Sequence, residues 1–425
     1  MRLPLPAYLP AGAERVELGL VQDGVGWHDG TASVRLQRAR GRRVLVRTGI
    51  STFRHLGDDL IARELLGALA RNLPDVIPVL LAHPTDDLAD RFGCEVATSP
   101  IALGRKPRDL VSQARLLARG QEVEDPLVAE ALEPFRSASA LVLAPGGGLA
   151  SRYAAEALEP SALEVLIAHA MGIPVLVEGA SVGPIDARKD QAAIAELLND
   201  AQRITVRDAG SATVARRIGR GVDAAVVPDL ATAAVGHLGR ARAAAADWLA
   251  SINVPADRRY AVVSLRGATA DASHVETVRH ALSQLPEHTA WLFLPHIDDD
   301  LALLDADQWA AAHLVPVAPM PDQVLAAIVA GATMAMGSRF HHSVIATAAG
   351  VRTVALVRND YDRVRIKALE GASGLQIVAI DRPDDAAAAA AELLGAPDPV
   401  PAARWDAAGF AAALAARLPA PPPLG

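Results

Sequence analysis

The run Gly337-Ser338-Arg339-Phe340-His341-His342 concentrates more reactive side chains than any other part of this 425-residue chain. It lies between a short apolar run, TMAMG (333–337), and an apolar helical run, SVIATAA (343–349). Arginine and histidine at a helix start combine a fixed positive charge, a titratable imidazole and free backbone amides. Such groups are costly to desolvate, so at the edge of an apolar core they suit an anionic ligand and a proton to be moved. A capping and packing role is the alternative. Successive side chains at a helix start point about 100° apart, so His341 and His342 do not face the same atom. Spacing alone does not choose between them.

Other stations share this setting at the end of an apolar run. Pro145-Gly146-Gly147-Gly148 follows ALVLA; three glycines allow dense backbone contact with a ligand, although a tight turn needs only one or two. Gly57-Asp58-Asp59 opens a helix after Thr48-Gly49-Ile50-Ser51, and Asp58 reads as its N-cap or as part of a ligand loop. Arg207-Asp208 ends ITVRD, with Ser211 three residues on; the arginine either meets an anion or joins a structural cap. Arg266 follows YAVVSL, and His296 follows LFLP just before Asp298-Asp299-Asp300. That H-x-D-D-D run lacks convincing metal-ligand spacing and reads better as helix capping by the aspartates. His28, His83, His169, His237, His274, His280, His288 and His313 stand singly and suggest nothing beyond ordinary surface or core roles.

The elements that must position these residues follow from the apolar pattern. RVLVRT (43–48), VIPVLLA (76–82), ALVLAP (140–145), IPVLVEG (173–179), ITVRD (204–208) and AAVVPD (224–229) form a first set of strands. YAVVSL (260–265), AWLFLP (290–295), TMAMG (333–337), RTVALV (352–357) and LQIVAI (375–380) form a second. Continuous apolar runs are the mark of strands covered by helices on both faces. Segments of helical spacing alternate with them, as at 58–71, 162–171 and 321–330, which predicts parallel, doubly wound sheets. One sheet of about eleven strands exceeds what open sheets usually reach. The expected fold is therefore α/β, with two Rossmann-like domains facing a cleft. The expected boundaries are an N-terminal β appendage (1–42), a first domain (43–235), a helical connection (236–257), a second domain (258–395), and a bracing helix with a Pro-rich tail (396–425). Ligands in such sheets bind beyond the carboxyl ends of the strands, where every station above lies.

Composition narrows the function. Apolar residues make up 51% of the chain and charged residues 21%, enough for buried cores. The net charge of −8 disfavours general nucleic-acid binding but leaves room for a local basic cleft. A lone cysteine, Cys94, supplies neither a disulfide framework nor a multi-cysteine metal site. No apolar stretch reaches the length of a membrane span, and the first residues do not read as a signal peptide. The expected location is cytoplasmic, with peripheral membrane contact left open. Neither G-x-G-x-x-G nor a Walker A motif is present.

The ordered series GISTFRHLGDDLI, LVLAPGGGLAS, GIPVLVEGASVGPI, ITVRDAGS, VVPDL, VVSLRG and GSRFHHSVIATAAGVRTVAL resembles the polysaccharide pyruvyltransferase family from about residue 43 to 380. The resemblance implies a fold similar to the GT-B glycosyltransferases. It also implies transfer of the pyruvyl group of phosphoenolpyruvate to a sugar of a surface or exopolysaccharide precursor, forming a ketal and releasing phosphate. The expected partners are thus phosphoenolpyruvate and a glycan acceptor, with no metal or redox cofactor. By the same resemblance, Arg339 and His341 are the catalytic pair, His341 moving the proton with a pKa near 7. Arg207, Arg266, Gly57, Asp58, Gly146, Gly147, Gly148, Ser338 and His296 are the expected substrate-binding residues. The chain departs from the family pattern at His55, where N-x-G-D is usual. A glycosyltransferase using a nucleotide-sugar and a non-catalytic glycan- or anion-binding relative are the competing readings.

Overall fold

In the computed structural model, the described residues are 15–22, 26–35, 42–49, 55–83, 87–255, 258–266, 272–287, 289–297, 300, 313–314 and 320–420. Strands β1 (Arg15–Gln22) and β2 (Gly26–Arg35) pair antiparallel as a hairpin. The first large sheet contains β3 (Arg42–Thr48), β4 (Val76–Ala82), β5 (Glu95–Thr98), β6 (Ala138–Ala144), β7 (Val175–Ala180), β8 (Arg203–Val206) and β9 (Ala224–Val226). The second contains β10 (Tyr260–Ser264), β11 (Ala290–Phe293), β12 (His313–Leu314), β13 (Met334–Gly337), β14 (Arg352–Val357) and β15 (Leu375–Ala379).

Both sheets are parallel throughout and share one topology. The first runs β5-β4-β3-β6-β7-β8-β9 and the second β12-β11-β10-β13-β14-β15. In each, the chain starts in the middle, builds outward to one edge, then crosses to build the other. The strand order thus reverses between β3 and β6 and again between β10 and β13. The crevice at such a reversal is where doubly wound sheets take ligands. The loops after these four strands carry Gly49, Pro145-Gly146-Gly147-Gly148, Arg266 and Ser338-Arg339.

Two edge strands escape the sequence pattern. Glu95–Thr98 is half-buried, and His313–Leu314 is only two residues long, so neither shows a long apolar run. Arg43 on the neighbouring face pairs with Glu95 at 2.6 Å, compatible with an edge open to water.

The two domains meet through apolar packing. Leu56, Leu60 and Leu65 of the Leu56–Asn72 helix belong to one buried cluster with Val324 and Ile328 of the Asp322–Ala330 helix and Val344 and Ile345 of the Phe340–Ala349 helix. The 3-10 segment Leu230–His237 packs against both the Leu56–Asn72 and the Phe340–Ala349 helices. The Ala407–Ala415 helix also packs on the Leu56–Asn72 helix. Before it, buried Trp405 donates from Nε1 to Glu178 Oε1 at 3.0 Å and from its backbone to Thr232 Oγ1 at 2.9 Å.

One bidentate ion pair crosses between the domains: Arg63 Nε and Nη2 donate to Asp322, each with a contact of 2.9 Å. The Asp322 side chain is only 2% exposed, so removing its partner strands a buried charge. Arg63→Ala is expected to lower stability by about 3 kcal/mol or more, read as a fall in the thermal unfolding midpoint. An unchanged midpoint means that the pair does not hold the domains.

Candidate active site

The Leu56–Asn72 and Phe340–Ala349 helices come from different domains and point their N-termini at each other. His55 is the N-cap residue of the first, without a side-chain capping bond, and Arg339 is the N-cap residue of the second. Asp58 is therefore not the cap that its position suggests in the sequence. It sits in the first helical turn, with a carboxylate oxygen against the Gly49 and Gly146 backbones. The second helix begins at Phe340, earlier than the apolar run 343–349, and its first turn holds no acidic residue to offset the free amides.

Gly57 and His341 touch across this meeting point. A Cβ on Gly57 would lie 1.7 Å from His341 Nδ1, so the ring occupies the space that any other side chain would need. His342 diverges from it, fully buried, with Nε2 3.4 Å from the Val262 carbonyl oxygen, as the turn angle requires.

His341 is 2% exposed, and neither ring nitrogen has a hydrogen-bond partner among the described residues. Its Nε2 lies 3.8 Å from Asp229 Oδ2. Burial pushes its pKa down to about 3; Asp229 opposes this, while Arg207, Arg365 and Arg339 reinforce it. This corrects the sequence expectation of a group titrating near 7: with no ligand bound the imidazole is neutral. His342 is pushed down to about 4 by burial, and burial with nearby positive charge holds His55 and His296 well below the usual histidine range.

Asp229 links this histidine to the arginine that ends β8. Arg207 Nη1 donates to Asp229 Oδ2 at 2.6 Å, and Arg207 Nε donates to Ser181 Oγ at 2.5 Å. The guanidinium lies 4.3 Å from the Phe340 ring centroid, and its Nη2 has no hydrogen-bond partner. Burial raises the Asp229 pKa, but Arg207 and the Ala231 amide outweigh it and hold the carboxyl below its usual range. Capping of the next helix falls to Asp208, which accepts from Ser211 N and Ser211 Oγ, both at 2.6 Å.

Around His341 the space forms two adjoining lobes of about 490 and 360 Å³, both lined by His55, Arg266, His341 and Arg365. His296, Ser338 and Arg339 line the first, and Asp58, Gly147, Gly148 and Tyr153 line the second. Arg266 enters from β10, its backbone amide donating to Ser338 Oγ at 3.1 Å and Nη2 donating to Tyr153 Oη at 3.1 Å. His296 is 3% exposed and both its ring nitrogens lack partners. Of the substrate-binding residues expected from the sequence, Arg266, Asp58, Gly147, Gly148, Ser338 and His296 line these lobes, while Gly57 lies against the His341 ring, Arg207 faces Gly147 and Gly146 lies beside Asp58.

Three placements differ from the sequence reading. Arg339 offers its bidentate face to Asp300, with Nε 3.0 Å from Oδ2 and Nη2 on Oδ1, while Nη1 lies 3.3 Å from His55 Nε2. Asp300 is thereby an arginine partner that also accepts from His296 N and Ile297 N, a role the sequence does not suggest; Asp298 and Asp299 lie outside the described residues. Arg365, absent from the sequence candidates, is the third difference. It lines both lobes, stacks over Phe340 and Tyr361 at 4.8 and 5.4 Å, and has no carboxylate in ion-pair range among the described residues. Its DYDRVRI segment reads as an ordinary surface helix, so only the fold reveals it.

Arg207 Nη2 and Arg365 Nη2 would both lie 3.2 Å from a Cβ on Gly147. The glycine loop leaves the space in front of both guanidinium groups open. Two guanidinium groups, an unneutralised helix N-terminus and a neutral imidazole therefore converge on one cavity. That arrangement suits an anionic ligand and a proton acceptor beside it.

Two parallel-sheet domains of this topology, closed on a cleft, define a GT-B-like fold. It is similar to UDP-GlcNAc 2-epimerase from Methanocaldococcus jannaschii, with a TM-score of 0.61 and 12% identity over 88% of this chain and 99% of that one. It is also similar to UDP-GlcNAc 2-epimerase from Neisseria meningitidis bound to UDP-GlcNAc, with a TM-score of 0.52 and 11% identity over 83% and 90%. At these identities the likeness is one of fold. The polysaccharide pyruvyl transferase family profile matches residues 55–361, and the chain belongs to that family. No curated protein matches the sequence. Among the described residues no helix is long and apolar enough to cross a membrane.

Two measurements check this site. In a titration of ¹³C-labelled histidine rings followed by NMR, the His341 resonance, assigned with His341→Gln, is expected to stay neutral down to pH 5. A midpoint between 6 and 7 contradicts the burial argument. Gly→Ala inside a helix usually stabilises by about 0.5–1 kcal/mol. Gly57→Ala is expected to do the reverse, lowering the unfolding midpoint, because the methyl meets the His341 ring.

Proposed function

We propose that the protein transfers the pyruvyl group of phosphoenolpyruvate to two hydroxyls of a glycan acceptor, forming a ketal and releasing phosphate. The observation that carries this reading is the convergence of Arg207 Nη2 and Arg365 on the cavity beside His341. Phosphoenolpyruvate brings a phosphate and a carboxylate, and planar guanidinium forks match both. Arg266 faces the same lobes from the second domain, so the donor is gripped from both sides of the cleft.

The proton bookkeeping suits a neutral His341. The first acceptor hydroxyl adds to C2 of the donor while the methylene carbon C3 gains a proton. His341 takes the hydroxyl proton and delivers it to C3, and Asp229, 3.8 Å away, stabilises the transient imidazolium. Because the free imidazole is a weak base in this pocket, its protonated form is a strong enough acid to protonate carbon. Phosphate then leaves toward the arginines and helix amides, and the second hydroxyl closes the ketal. Asp300 fixes Arg339 so that its remaining N–H groups face the first lobe.

Phosphate release from phosphoenolpyruvate over a panel of acceptor glycans, with nucleotide-sugars run in parallel, tests the reading. Turnover with a nucleotide-sugar alone favours a glycosyltransferase. Donor binding without turnover across the whole panel favours a binding relative. His341→Ala is expected to lower kcat by about 100-fold or more while leaving donor affinity nearly intact. Arg365→Ala and Arg207→Ala are expected to weaken donor binding by about 10- to 150-fold, the loss of one charged hydrogen bond. Calorimetric titration of the folded variants separates the two classes, and a donor Kd unchanged in either arginine variant removes that residue from the anion site.

A further inference from the structure

Ketal formation consumes two hydroxyl protons, and His341 accounts for one. The other must leave with the phosphate, and a group in the cavity must carry it. The second lobe offers Tyr153. The glycine loop and a 3-10 turn, Ser151–Tyr153, turn the chain sharply after β6; Ser151 N donates to the Pro184 carbonyl oxygen at 3.1 Å and Ser151 Oγ accepts from Asp186 N at 2.9 Å. A π-helical turn, Ala154–Leu158, follows. So pinned, Tyr153 lines the same lobe as His341, Asp58 and Gly147.

Its phenol oxygen accepts from Arg266 Nη2 at 3.1 Å, and its ring packs against Tyr361, the two centroids 6.3 Å apart. The Arg152 guanidinium lies 5.9 and 5.6 Å from the two ring centroids. An arginine on a phenol oxygen stabilises the phenolate. Burial raises the phenol's pKa, but the charges of Arg266 and Arg365 outweigh it, and the net shift is below the usual tyrosine value. Among the described residues, Asp58 is the one carboxylate lining this lobe, and an oxygen of it lies against Gly49 and Gly146.

We propose that Tyr153 is the second proton-transfer residue, first an acid toward the departing phosphate and then a base toward the second acceptor hydroxyl. This rests on the pyruvyl-transfer reading above. As the C2–O bond to phosphate breaks, the phenol proton passes to the phosphate oxygen and Arg266 holds the phenolate. The second hydroxyl then adds to C2, and its proton returns to Tyr153 Oη. Two C2–O bonds, one C3–H bond and one phosphate O–H bond form, while one C2–O bond, the C2–C3 π bond and two hydroxyl O–H bonds break. One hydroxyl proton ends on C3 and the other on phosphate, and both residues return to their starting state.

The division of labour gives Tyr153→Phe a signature that a purely structural role lacks. The substitution keeps the ring and Arg266 but removes the transferable proton. In D₂O with phosphoenolpyruvate and acceptor, the variant is expected to release phosphate about 100-fold more slowly or worse. It is also expected to keep acceptor-dependent deuterium exchange into C3 of the donor, because addition through His341 still occurs and reverses. His341→Ala is expected to lose both. Phosphate release by Tyr153→Phe at the parent rate overturns the proposal, and so does loss of release and exchange together. If the parent protein itself releases no phosphate from phosphoenolpyruvate with any acceptor, the pyruvyl-transfer reading fails, an outcome distinct from the first two.

Discussion

The contact between the Gly57 backbone and the His341 ring is where the two domains meet, and most of the site depends on it. Two helix N-termini of like partial charge are brought together there, with the neutral His341 ring against Gly57 and the Arg339 guanidinium against His55. The arrangement holds because the apolar cluster around Leu60, Ile328 and Val344 presses the domains together from behind. Asp58 tempers the first helix, while nothing acidic stands in the first turn of the second. The uncompensated field therefore points into the cavity, where the free faces of Arg207 and Arg365 add to it.

Burial also sets the chemistry of the histidine. Desolvation keeps His341 neutral, and Asp229 is held ionised by Arg207 at a distance that favours the imidazolium only once a proton arrives. Arg207 thus has two roles: one arm fixes Asp229 and the other faces the cavity. Arg339 shows the complementary economy, being oriented by Asp300 so that His55 and the first lobe meet a fixed charge. Two of the arginines sit on carboxylates and Arg365 has none in ion-pair range among the described residues, so the cavity carries local positive charge although the chain as a whole has a net charge of −8.

Much of this was legible in the sequence because strand ends are legible. Long apolar runs locate β3, β6, β10 and β13, and the residues just after them, the triple glycine, Arg266 and Arg339, fall at the two places where strand order reverses. What was not legible depends on which surfaces fold toward one another. Asp229 appears in the sequence only as the last residue of the AAVVPD run, yet it accepts from Ala231 N at 2.9 Å while also gripping Arg207. Asp300 reads as a cap, and only the placing of β11 and β13 on either side of β10 hands it Arg339. Arg365 and Tyr153 sit in segments with no apolar signature of a site and face the cavity only through the packing of their helical turns. The shift of His341 to about 3 follows first from burial between the domains, with Arg207 of the opposing domain and Arg365 and Arg339 of its own adding to it.

A crystal structure of the protein with phosphoenolpyruvate bound tests the central claim most directly. The expected result is a donor whose phosphate and carboxylate lie about 3 Å from Arg365 and Arg207 Nη2, with its methylene carbon facing the His341 ring. A donor bound elsewhere, or one in this cavity that leaves both guanidinium groups without contact, contradicts it.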